Sequence, residues 1–163
     1  MADKFLLDTN CFIESAQRWH PLSVFPGFWD GLLAQNRAGN LFTIKNVLDE
    51  VHDDDITNWL KQHPTFILPL EQNVVDKYAS LVNWINNRKE FDATEKNEFY
   101  TKADGWLVAY ASAHQMSVVS QEERAKSGSH RIKIPNLCDE MGVEFINFPK
   151  LIRQMEFKLV LQK

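Results

Sequence analysis

Asp8, Glu50, Asp104 and Glu122 stand where local pattern brings carboxylates toward one edge of a sheet. Asp8 directly follows the apolar run Phe5-Leu6-Leu7, and Glu122 comes two residues after Ser117-Val118-Val119-Ser120. In open parallel sheets, ligands bind beyond the carboxyl ends of the strands. Ile44, Val47, Leu48 and Val51 define one helical face; at 100° per residue Glu50 lies on its flank, while Asp49 points away. Asp104 shares a face with Leu107, Val108 and Ala111 and opens its segment, where a helix N-terminus favours an anion. Bare carboxylates in a small space raise one another's pKa, and a divalent cation removes that conflict. Oxygen ligands without His or Cys suit Mg²⁺ or Mn²⁺, one ion or two. One such ion acidifies a bound water and a second stabilises a leaving oxygen, so the chemistry implied is phosphodiester hydrolysis.

Each acid also has a plainer reading. Asp8 can open a turn, and Asp104 can be an ordinary helix cap. Glu50 can belong to the acidic, solvated run Asp49, Glu50, Asp53, Asp54 and Asp55, and Glu122 can be a loop charge beside Glu123. Their coincidence at one predicted edge favours the site.

That edge requires short strands alternating with helices, and the chain supplies them. Apolar runs predict strands at 5–7, 41–44, 117–120 and 143–146, with an edge strand over 157–161. Helices are expected near 10–18, 27–38, 45–51, 55–62, 72–87, 94–102, 104–114, 135–141 and 148–155. The segment 72–87 carries the stripe Val74, Val75, Tyr78, Leu81, Val82 and Ile85, and 104–114 is apolar nearly all round, which predicts burial against the sheet. The expected fold is α/β, a mostly parallel twisted sheet of four or five short strands flanked by helices, in one domain over 1–163.

Between 124 and 133 lie Arg124, Lys126, Arg131 and Lys133, with His130 and no acid. A loop of this kind beside the acids can clamp phosphates; Ser127-Gly128-Ser129 equally marks it as a flexible solvated loop. Lys45 is a weaker candidate of the same kind. Of the five tryptophans, Trp19 beside His20-Pro21 is the one placed for base stacking; the others read as core.

The 163 residues carry 18 Lys plus Arg against 22 Asp plus Glu, a formal charge of −4. That balance excludes a general electrostatic nucleic-acid binder, but not local contact. The four candidate acids account for the whole excess. Cys11 and Cys138 are far apart without a CxxC pattern, which predicts free thiols in a reducing cytoplasm and no structural zinc. No segment has the length of apolar sequence that a membrane helix needs.

Phe5-Leu6-Leu7-Asp8-Thr9-Asn10, Val47-Leu48-Asp49-Glu50-Val51, Ala103-Asp104-Gly105-Trp106-Leu107-Val108-Ala109 and Val118-Val119-Ser120-Gln121-Glu122 together resemble the PIN-domain family of metal-dependent nucleases. The match runs in order from about Lys4 to Ile146. Within the family the chain most resembles stand-alone bacterial PIN-like proteins of the VapBC toxin type, with Pro26-Gly27-Phe28-Trp29, Ile44-Lys45 and Lys133-Ile134-Pro135-Asn136 adding to the likeness. The resemblance implies a PIN-like fold, Asp8, Glu50 and Asp104 as metal ligands, and Asn10 and Ser120 as residues that order the site by hydrogen bonds. It implies RNA as substrate, a protein antitoxin as partner and a possible homodimer. The departure is Glu122, where the family usually has Asp; the longer side chain implies contact through water or a single tightly held ion. Two other functions compete. A phosphatase using Asp8 as nucleophile wants an acid at the place of Asn10, which cannot serve as general acid. A catalytically weak binding module would be marked by a lost core acid, and Asp8, Glu50 and Asp104 are all present.

Overall fold

The computed structural model describes residues 4–156 and 158–161. Its sheet is built from β1 (Phe5–Leu7), β2 (Leu41–Ile44), β3 (Ile67–Leu68), β4 (Ser117–Ser120) and β5 (Phe145–Asn147), in the order β3-β2-β1-β4-β5. Every pair is parallel, with Phe5 opposite Leu41 and Ser117, and Val119 opposite Ile146. Parallel strands need both faces covered. Accordingly Leu6, Leu7, Leu41, Val118 and Val119 are fully buried.

The helices that cover those faces are α1 (Thr9–Glu14), α2 (Pro26–Arg37), α3 (Lys45–Glu50), α4 (Asp54–Gln62), α5 (Gln72–Asn86), α6 (Ala93–Thr101), α7 (Asp104–His114), α8 (Ile134–Met141) and α9 (Phe148–Gln154). A π-helical turn, Ser15–Trp19, continues α1, and a 3₁₀ turn, Pro64–Phe66, leads into β3. The apolar stripe of α5 buries Val74, Leu81 and Ile85, and α7 buries Gly105 and the run Leu107 to Ala111. Gly105 is required by close packing: a Cβ there would lie 2.4 Å from Phe99 Cζ and 2.8 Å from Tyr78 Cε2. Gly142, at φ +63°, takes the left-handed turn that ends α8.

Two strand expectations change. Residues 158–161 form no strand, and Phe157 lies outside the described residues. The fifth strand is β3, two residues long, paired to β2 through Thr43–Ile67 and Ile44–Leu68. A two-residue strand has no period to recognise; the 3₁₀ turn and the exposed edge of β2 create it. Among the described residues no helix is long and apolar enough to cross a membrane.

The topology brings two kinds of terminus to one edge. Each strand ends there. A helix that leads into a parallel strand must run back along it, so α7, which precedes β4, also begins at that edge.

Candidate acid-lined active site

Asp8 leaves β1 at the middle of the sheet. Its N–H donates to Val119 O (2.9 Å), one residue beyond the strand pairing. It then becomes the N-cap of α1: Thr9 N–H donates to Oδ1 at 2.7 Å. Ser120, the last residue of β4, donates its hydroxyl to Oδ2 at 2.8 Å. With 2% of its surface exposed, Asp8 is a buried carboxylate held by neutral donors alone.

Glu50 ends α3. Thr9 Oγ1 donates to its Oε2 (2.8 Å) and Ala103 N–H to its Oε1 (2.5 Å). Glu50 thereby joins the start of α1 to the start of α7. Asp104 is the first residue of α7, and its carboxylate accepts no hydrogen bond among the described residues. Glu122 lies on the far side of Ser120, to whose oxygen its N–H donates at 3.1 Å. Its own carboxylate faces α8: Ile134 N–H donates to Oε2 (2.8 Å) and Lys133 Nζ lies 3.1 Å from Oε1.

The electrostatics follow from this arrangement. Burial pushes the Asp104 carboxyl up to about 8, with repulsion from Asp8, Glu122 and Glu50 adding to it and Lys102 opposing it. Burial likewise raises Asp8 to about 6; the Ser120 and Thr9 hydrogen bonds pull it down, and Glu122 and Glu50 push it up. Glu50 and Glu122 thus act on both Asp8 and Asp104. Among the described residues no three Asp, Glu, His or Cys side chains come together as a group that could hold a metal ion as they stand. The donor set is nonetheless carboxylate oxygen throughout, with one carboxylate unpartnered. Such a set fits a hard divalent cation that keeps part of its water shell, as Mg²⁺ does.

The remaining sequence candidates are placed as follows. Asn10 is exposed and its side chain makes no hydrogen bond among the described residues. It sits one step further round the first turn of α1 than Thr9, so it faces outward while Thr9 faces Glu50. Arg124 makes a two-pronged pair with Asp139 (both contacts 2.8 Å), Arg131 pairs with Glu95 (3.0 Å), and Lys45 pairs with Asp49 on its own helix. Lys133 reaches Glu122, so the basic loop does border the acids. Lys126 has no acidic partner among the described residues.

Two contributors escaped the sequence reading. Thr9 touches both Asp8, through its N–H, and Glu50, through its hydroxyl; its place beside Asp8 was the available signal. Lys102 lies two residues before Asp104 and pairs with Glu98 at 2.6 Å. Burial opposes its charge, but Glu98 and Asp104 outweigh that and raise its pKa. It stood in a polar stretch with no period to single it out.

Known structures with similar folds include VapBC2 from Rickettsia felis bound to a DNA fragment from its promoter. That likeness has 11% identity and a TM-score of 0.50, and covers 88% of this chain and 97% of the other. A second is FitAcB from Neisseria gonorrhoeae, at 21% identity and a TM-score of 0.46, covering 88% and 96%. The VapBC2 likeness is one of fold, and the fold is the PIN-like α/β architecture that the sequence resemblance implied. No curated protein matches the sequence. A family model described as a domain of unknown function, DUF4411, matches residues 5–159. As that match takes in nearly the whole sequence, the chain belongs to the DUF4411 family.

Proposed function

We propose that this protein is a divalent-metal-dependent endoribonuclease and the toxin of a toxin–antitoxin pair. The observation that carries the reading is the buried acid edge. Burial pushes both Asp8 and Asp104 to high pKa; Asp8, Glu122 and Glu50 add to the shift of Asp104, and Glu122 and Glu50 add to that of Asp8. A fold does not maintain such repulsion for stability. It is explained by a cation that the acids share.

Asp8, Glu50, Asp104 and Glu122 would hold Mg²⁺ or Mn²⁺, one ion or two. The bound ion supplies polarisation of the phosphodiester and a more acidic water. The chain's own residues do the positioning. Ser120 fixes Asp8, and Thr9 with Ala103 N–H fixes Glu50. Asp104 keeps its oxygens free of protein donors. A charged RNA strand approaching this edge meets Lys102, whose charge acts on Asp104. VapBC2 was solved bound to a DNA fragment from its promoter; for this chain we propose as partner a small protein antitoxin that covers the acid edge.

One observation favours a second reading, a PIN-fold binding module of weak activity. Both Glu122 oxygens are engaged by α8 and Lys133, which describes a helix cap as well as a ligand. Incubating the purified protein with total cellular RNA, with Mg²⁺, Mn²⁺ or chelator, and mapping new ends separates the two. The nuclease reading expects new ends that require metal and vanish in Asp104→Asn. RNA that stays intact with both metals would leave the binding module.

A further inference from the structure

Beside Glu50 a groove of about 230 Å³ opens between α3 and the junction of α6 and α7. Asn46, Asp49, Glu50, Tyr100, Lys102 and Trp106 are among the residues that line it. Glu50 is thus shared between the groove and the acid edge. We propose that this groove is a base subsite: it takes one unstacked nucleobase of a single-stranded RNA and reads its edge through Asn46. The proposal rests on the reading of the acid edge as an RNA site.

Size is the first reason. The groove has the volume of roughly seven or eight waters at about 30 Å³ each. It lies below the ~300 Å³ at which larger ligand pockets begin. That volume accommodates one flat heterocycle.

Wall chemistry is the second. Trp106 stacks on Tyr78 at 3.7 Å between centroids and 8° between planes. The indole is therefore immobilised before any ligand arrives. Neither the Asn46 amide nor the Trp106 N–H makes a hydrogen bond among the described residues. Asn46 is half-buried, so this amide offers both a donor and an acceptor at a partly dry surface. Sequence-specific RNA recognition takes this form, with splayed bases meeting aromatic side chains and polar groups along their edges.

Charge is the third. Glu50 and Asp49 would repel a phosphate inside the groove, whereas a neutral base meets no such penalty. Lys102 lines the same groove, two residues before Asp104. A strand whose base enters the groove would have its phosphate outside it, near Lys102 and the acids.

Binding, not cleavage, tests this directly. Fluorescein-labelled tetranucleotides of A, C, G and U are titrated against wild type, Asn46→Ala and Trp106→Phe by anisotropy in Ca²⁺. Trp106→Phe keeps a ring against Tyr78. Wild type is expected to prefer one base by at least about fivefold. Asn46→Ala should bring the four within about twofold at an unchanged thermal midpoint. Trp106→Phe should weaken the preferred oligomer most. Equal binding of all four by wild type, or a preference that survives Asn46→Ala, overturns the subsite. Base discrimination in a protein that cuts no RNA under Mg²⁺ or Mn²⁺ would keep the subsite and remove the nuclease reading.

Discussion

The acid edge and the basic loop carry opposite charges and are held in opposite ways. At the acid edge, Asp8 and Glu50 are fixed by hydroxyls and backbone N–H groups, which leave their negative charge in place. In the loop, Arg124, Arg131 and Lys133 are each matched by a carboxylate of the same chain. Charge is concentrated at the first region and cancelled at the second. Neutral donors orient an anion without answering its field, so the acid edge can still attract a cation. The loop has spent most of its attraction internally. The two regions meet at the pair of Glu122 with Lys133.

The largest expected effect comes from removing an uncompensated charge. Asp8→Asn or Asp104→Asn should lower the RNA cleavage rate by about 10³-fold or more, since a metal site contributes several kcal/mol to the transition state. Neither change should unfold the protein, because each removes one of several repelling acids. Single-turnover cleavage and thermal unfolding on the same preparation check both halves. A variant that cuts like wild type would dissolve the contrast between the two regions.

The pH dependence of the metal-free protein reports the same contrast through stability. A carboxyl whose folded pKa lies above the ordinary 3.8 binds more protons folded than unfolded. Its contribution is full below pH 3.8 and is lost as pH rises, by about 6 for Asp8 and about 8 for Asp104. Chelated protein should therefore melt at lower temperature at pH 8 than at pH 5. Asp104→Asn should flatten the part of that slope above pH 6. Mg²⁺ or Mn²⁺ at a hundred times its Kd should return about 2.7 kcal/mol at pH 8. A melting temperature unchanged across this range, with and without metal, would mean that the acids do not share a field.

Thr9 is the hinge of the neutral-donor arrangement. Thr9→Val keeps the shape and leaves Glu50 Oε2 unpaired. A cleavage rate reduced by about tenfold, roughly 1.4 kcal/mol, is expected, with Thr9→Ser restoring most of it. If Val and Ser behave alike, the hydroxyl is not what holds Glu50.

Much of this was legible in the sequence for physical reasons. Asp8 and Ser120 end apolar runs of one mostly parallel sheet, and Asp104 opens a helix on its buried face. The flank position of Glu50 follows from the helical period. What escaped was decided by contacts distant in sequence. Nothing near Thr9 announces Glu50, which is 41 residues away. Arg124 and Arg131 read as a free basic loop because Asp139 and Glu95 lie 15 and 36 residues off. Strand β3 exists only because β2 had an edge to fill.

The smallest expected effects lie in that loop, and they discriminate within it. For single strands, each phosphate contact contributes about 0.7 to the slope of log affinity against log salt. Lys126 has no internal acid to leave, so Lys126→Ala should lower the RNA-binding slope by about that amount. Arg124 and Asp139 are both about half exposed, with side-chain exposures of 53% and 55%. A pair so exposed contributes little to stability, so removing both in Arg124→Ala/Asp139→Ala should change neither the slope nor the melting temperature measurably. A lower slope in that double variant would show that Arg124 leaves Asp139 for phosphate. The loop would then be a clamp that is latched in the free protein, and its internal pairing would be a resting state of the site.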